Sequence, residues 1–130
     1  MRDATRSIDK PTERAIRTLL KSRAESRIYL FLLRKNGART EEIIKGTKLH
    51  PSTVRELLSK MHHRRLIYRI KLKNDCIGKN PYLYHATSPI QLLQKYIGDM
   101  EEQLNKIANL GSTKRSHIVT INIVNQAGEP

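Results

Sequence analysis

Ser52, Thr53, Arg55, Glu56, Ser59 and Lys60 gather, within one short stretch, the polar groups that can read the edge of a base pair. An arginine guanidinium is a flat fork of donors that matches the two acceptors on guanine. A glutamate accepts from the cytosine amino group, and hydroxyls suit either role. Val54, Leu57, Leu58 and Met61 recur between these residues at helical spacing, so Ser52, Glu56, Ser59 and His63 point the opposite way, flanked by Arg55 and Lys60. Pro51 fits a first helical turn, where its missing N–H is not needed, and His50 stands where it can cap the helix or meet a phosphate. A polar face on an isolated helix is usually only a solvated surface, so its neighbours decide what it means.

The next cations follow at once. From Leu66 to Lys73 apolar and basic residues alternate, as in a half-buried strand. Lys71 and Lys73 share one strand face, Arg69 precedes them, and Lys79 follows in the loop, forming a row suited to phosphates or a minor groove. Such contacts set position and affinity rather than sequence. Lysine on an edge strand also guards against aggregation, and the two roles are compatible. Arg64 and Arg65 end the polar helix and are expected to serve its C-terminus rather than bases.

Several elements must position these groups. Pro11 to Leu20 reads as a helix with Ile16, Leu19 and Leu20 on one face. Ser22 and Glu25 form a capping box, in which the glutamate reaches back to the serine N–H. The helix that follows carries Ala24, Ile28, Phe31 and Leu32 as a stripe, and Asn36-Gly37 stops it. Thr40 is expected to cap a short helix that ends at Gly46, with Leu49 packing in the turn before Pro51. Residues 74–80 are a loop, and Tyr82 to Thr87 returns as the second strand of a hairpin. From Pro89, the residues Ile90, Leu93, Ile97, Met100, Leu104 and Ile107 make a heptad seam that ends near Gly111. A seam of this kind is expected to pair with its copy in a second subunit. Residues 117–124 are β-branched and strand-like.

The expected fold is therefore mainly α with a small β-hairpin, an α+β winged helix-turn-helix with a long C-terminal dimerisation helix. Residues 1–10 form a disordered start, 11–87 the DNA-binding domain, 88–111 the dimerisation helix, and 112–130 a short strand and tail.

Charge supports this reading. The 130 residues carry a formal net charge of +13, all of it in residues 1–87; residues 88–130 sum to zero. A polyanion is the simplest partner for such a surface, and double-stranded DNA is expected, bound by a homodimer. Cys76 is the one cysteine, so no internal disulfide forms, which suits a reducing compartment. No apolar run approaches a membrane span and the polar N-terminus has no signal-peptide core, so the expected location is cytoplasmic. No phosphate loop, nucleophile elbow or carboxylate cluster suggests an enzyme, and no cofactor is expected. His62 and His63 are adjacent and diverge on a helix, and Cys76 and His85 flank the hairpin loop without metal-ligand spacing, so no metal site is assigned. The competing readings are an architectural, RNA-binding or protein-assembly module, for which Tyr82 and Tyr84 offer an aromatic platform, and a redox or metal sensor built on Cys76.

The run from Ser22 to Arg69 resembles the winged helix-turn-helix of archaeal TrmB-type transcription regulators. Glu25, Arg27, Tyr29, Leu32 and Leu33 occupy a Glu-x-Arg-x-Tyr-x-x-Leu-Leu pattern seen there, and Tyr84-His85-Ala86 followed by Pro89 resembles the second wing strand and exit helix. MarR-like and ArsR-like winged helices share much of this pattern. The resemblance implies a transcription regulator. It does not extend to the large effector-binding domain of many such proteins, so sugar sensing is not expected, and any small-molecule effector stays open. The loop at 74–80 is longer and less arginine-rich than usual for the family.

Overall fold

A computed structural model describes residues 7–72, 82–111 and 117–126. The chain forms two units, Met1–Ser88 and Pro89–Pro130.

In the first unit, helix α1 spans Lys10–Leu19, starting one residue ahead of the expected boundary. Asp9 sets that start: its carboxylate accepts from the Thr12 amide at 3.0 Å, and hydrogen bonding from the Thr12 side chain and then from its amide lowers the Asp9 pKa. Glu13 joins α1 to α2 through Arg34 at 3.0 Å, with Arg17 at 3.4 Å beside it. The Arg34 hydrogen bond holds the Glu13 carboxyl below its usual range although burial opposes this.

Helix α2, Arg23–Lys35, supplies most of the core through Ile28, Tyr29, Leu30 and Leu32. Ser22 caps it as expected, accepting from the Glu25 amide at 3.1 Å. The return half of the capping box differs. Glu25 reaches the Lys21 amide at 3.4 Å instead of that of Ser22, because its other oxygen is drawn to Arg64 at 2.7 Å. Asn36, at φ 62°, closes the helix in a left-handed conformation.

Helix α3 covers Thr40–Thr47, and two expectations about its ends are corrected. Its N-cap is Arg39, whose amide donates to Glu42 at 2.8 Å, while Thr40 is the first helical residue and is buried. Gly46 does not end it; Lys48 does, at φ 61°. Gly46 instead lets the Phe31 ring lie against the helix, since a Cβ there would come within 2.1 Å of that ring. Helix α4, Pro51–His63, buries Val54, Leu58 and Met61 against this core, with Leu57 half-buried.

Strands β1 (Ile67–Lys71) and β2 (Tyr82–Ala86) pair antiparallel, with Ile67 opposite Ala86 and Lys71 opposite Tyr82. Ala38 adds a third, one-residue rung, exchanging hydrogen bonds with Tyr84 at 3.0 and 2.8 Å. Sequence pattern did not reveal this rung, because a single bridging residue leaves no periodicity. The alternation expected of β1 is not realised in burial. Leu66 and Ile67 are both buried, whereas Tyr68 and Ile70 are each about half exposed. Beyond Ile67, β1 meets solvent on both faces, while Tyr84 in the middle of β2 stays in the core.

In the second unit, helix α5 runs Pro89–Ala108. Among the described residues of this helix only Leu92 is fully buried, and it lies off the heptad seam. Residues 117–124, expected as a strand, pair with no strand among the described residues. Side chains of α5 hold them instead. Asn109 bonds the amide and carbonyl of His117 at 3.1 and 2.9 Å. Asn105 does the same for Val119 at 2.6 and 3.1 Å, and Glu101 accepts from the Ile121 amide at 2.7 Å. No helix of the described residues is long and apolar enough to cross a membrane.

Candidate nucleic-acid interface

The polar face of α4 forms as its spacing predicts. Ser52, Arg55, Glu56, Ser59, Lys60 and His63 are exposed, and Thr53 is half-buried. His50 is the N-cap: its Nδ1 accepts from the Ser52 amide at 3.2 Å and lies 2.9 Å from the Ser52 hydroxyl. That interaction fixes the entry of the helix and engages two of the expected contact residues with each other. Glu56 and Lys60 form an exposed ion pair at 3.2 Å, one helical turn apart. Their charges largely cancel on the helix surface. Arg55 has no partner among the described residues, so its five donors remain available outward.

Arg64 does not serve the C-terminus of α4 by its side chain. It bonds Glu25, and both groups are largely covered. This pair joins the end of α4 to the start of α2, so it holds the polar helix against the element behind it. Arg65 takes the turn out of α4 at φ 64°. Next to it, His62 is pushed below the usual imidazole range, first by burial and then by the charges of Arg69 and His63.

On the hairpin, cross-strand pairing puts Arg69, Lys71, Tyr82 and Tyr84 on one face. The Arg69 guanidinium lies 4.1 Å from the centre of the Tyr82 ring, a cation–π contact to its diagonal neighbour. This ring holds the guanidinium in place while leaving its edge donors exposed. Lys71 shares the face and is exposed. Lys73 and Lys79, the other two expected contacts, lie outside the described residues, as do Cys76 and the loop at 74–80. The aromatic platform of the RNA reading is not presented: Tyr84 is buried, and Tyr82 is covered by Arg69.

The opposite face carries Tyr68 and His85, stacked at 5.0 Å with 12° between their planes. His85 also sits over Gly37, where a Cβ would come within 2.6 Å of the imidazole. Gly37 has φ 111° as well, so both space and backbone require glycine there. This seat fixes the base of the hairpin. No cluster able to hold a metal occurs among the described residues.

Sequence reasoning did not assign Tyr29, which carries more of this geometry than any contact residue. Its ring is fully buried and its hydroxyl donates to the Thr87 carbonyl at 2.6 Å. Thr87 in turn binds the Leu66 carbonyl through its amide at 3.1 Å and its hydroxyl at 2.7 Å. One phenol thus fixes both ends of the hairpin. Its place in the Glu-x-Arg-x-Tyr-x-x-Leu-Leu pattern, as a hydroxyl-bearing ring beside Ile28 and Leu32, was the available signal.

A three-helix core, a helix presented by a turn, and a basic hairpin bridged by a third rung define a winged helix-turn-helix. The chain belongs to the TrmB family: the model of that family, described as sugar-specific transcriptional regulator TrmB, matches residues 22–90. Among solved structures, the chain is similar to a possible transcriptional regulator from Methanosarcina mazei Go1, at 24% identity and a TM-score of 0.56, over 78% of this chain and 92% of that one. It is also similar to the PcaV transcriptional regulator from Streptomyces coelicolor, at 16% identity and a TM-score of 0.48, over 68% and 60% of the two chains. A mutant of S. aureus MepR bound to an oligodeoxyribonucleotide matches at 18% identity and a TM-score of 0.45, over 78% and 73%. No curated protein sequence matches the chain.

Proposed function

We propose that this transcription regulator binds double-stranded DNA as a homodimer and reads sequence through α4. Arg55 discriminates guanine, Glu56 and the hydroxyls of Ser52, Thr53 and Ser59 add further contacts, and Lys60 and His50 approach the backbone. Arg69 and Lys71, with Lys73 and Lys79 farther along the hairpin, fix register on phosphates or in the minor groove. A neutral second unit carrying the Ile90 to Ile107 seam is where two strongly basic copies can meet. Two copies then present two α4 helices to a two-fold site.

The observation that carries this reading is the state of Arg55: exposed, without a partner among the described residues, and flanking the polar face that carries Ser52, Glu56 and Ser59. The test is binding to a labelled genomic fragment upstream of the protein's own gene, with competitor DNA, across a salt series. Arg55→Ala relaxes the preference for one position by about 1–3 kcal/mol. Lys71→Ala weakens every duplex alike and lowers the salt slope by about one. Equal binding to all duplexes, or competition by structured RNA, would assign the basic face to an architectural or RNA-binding role.

A further inference from the structure

Among the described residues, Val119 and Ile121 are held on one edge, by side chains of α5. Glu101, Asn105 and Asn109 stand four residues apart, so they form a row on one side of α5 with steps of about 6 Å. Alternate residues of an extended chain are about 6.6 Å apart. The two repeats nearly match, and the hydrogen bonds follow that match: Asn109 to His117, Asn105 to Val119, Glu101 to Ile121. The side chains of α5 thus replace a neighbouring strand. By strand geometry the amides and carbonyls of Ile118, Thr120 and Asn122 face the other way, and no described residue bonds them.

That outer edge lacks the usual protection. Exposed strand edges are normally blunted by lysine, proline or inward-pointing charge. Residues 117–126 contain none of these; they are β-branched and amide side chains after one histidine. Ile118 is 72% exposed and Val124 77%. On α5 itself Ile107 is 66% exposed, although it belongs to the seam. At 100° per residue the row of Glu101, Asn105 and Asn109 lies on average roughly a third of a turn from that seam, so the open edge is a surface separate from the seam face.

We infer that the outer edge of residues 118–122 pairs with the same edge of a second copy, forming a two-stranded antiparallel ribbon across the dimer axis. This rests on the homodimer reading and adds an interface to it. Two-fold symmetry requires the antiparallel direction, since residue i must meet j while j meets i. Centring on Thr120 places Ile118 opposite Asn122. The zero net charge of residues 88–130 removes the repulsion that any contact between the basic first units would carry. Because α5 occupies the inner edge, pairing stops at two chains and does not continue into a fibre.

The test is amide hydrogen exchange on the full chain at two concentrations, one above and one below its dimer dissociation constant, with mass measured by sedimentation. The Val119 and Ile121 amides are protected at both concentrations. The Ile118 and Thr120 amides are protected at least tenfold more at the higher one. Thr120→Pro, which removes only an outward N–H, weakens the dimer about tenfold or more while Val119 stays protected. A dimer whose Ile118 and Thr120 amides exchange at one rate at both concentrations overturns the ribbon and leaves the dimer standing. A chain that sediments as a monomer at all accessible concentrations overturns both.

Discussion

Glu25 and Arg64 meet at 2.7 Å across 39 residues, joining the first turn of α2 to the residue that caps the C-terminus of α4. The carboxylate is buried and already receives the Lys21 amide, so its charge depends on Arg64 for compensation. Arg64→Ala leaves a buried carboxylate unpaired, and Glu25→Ala removes the pair together with a helix-start acceptor. Each change is expected to cost about 2 kcal/mol, and the double variant less than the sum of the singles. Urea unfolding of the three variants measures this. Additive losses would show that the pair is not coupled.

Tyr29 gives a pH signature. Burial raises its phenol to about 12, against about 10 in the unfolded chain. The unfolded state therefore loses this proton first. The stabilisation is complete below pH 10 and is lost as pH rises toward 12, by an amount on the order of 2 kcal/mol. Tyr29→Phe lacks this step and loses about 1 kcal/mol at neutral pH through the missing bond to Thr87. Thermal melts of both proteins from pH 8 to 12 should approach each other and then cross, with Tyr29→Phe the more stable by about 1 kcal/mol at the alkaline end. Parallel curves would mean that Tyr29 does not govern the alkaline limb.

His50 is expected to matter for stability before it matters for binding. His50→Ala removes the acceptor for the Ser52 amide and costs about 1 kcal/mol, while His50→Asn restores the cap. If His50→Asn stays as unstable as His50→Ala, the imidazole acts by something other than capping.

Tyr82 acts on DNA through Arg69. Tyr82→Leu leaves the guanidinium without the ring 4.1 Å away that orients it. Duplex affinity then falls by about 0.5–1 kcal/mol for every sequence, and the change adds little in an Arg69→Ala background. Fluorescence anisotropy on specific and random duplexes checks this. Full additivity with Arg69→Ala would separate the two residues.

Much of the first unit was legible before any coordinates. Periodic apolar residues, Ser22, Asn36 and Pro51 marked α2 and α4 within a residue or so, because caps and helical stripes are local properties. The exposed face of α4 followed directly from its buried one. The ends of α3 were misread for a local reason and a distant one. Glu42 supports Arg39 rather than Thr40 as the cap, and Gly46 is small because Phe31, fifteen residues earlier, lies against it. The expected contacts Lys73 and Lys79 lie outside the described residues, so for the hairpin only Arg69 and Lys71 connect sequence to geometry.

The sequence by itself determined the order of elements, the basic first unit, the neutral second unit and the polar face of α4. Each follows from charge counts and periods of two or 3.6 residues, which need no knowledge of distant neighbours. Only the tertiary structure decided that Glu25 turns to Arg64, that Tyr29 fixes both ends of the hairpin through Thr87, and that Ala38 supplies its third rung. It also decided that residues 117–121 bond to Glu101, Asn105 and Asn109 instead of to a strand. These contacts join residues far apart in the chain or of different backbone periods, and one amide or carboxylate has many possible partners until packing selects one.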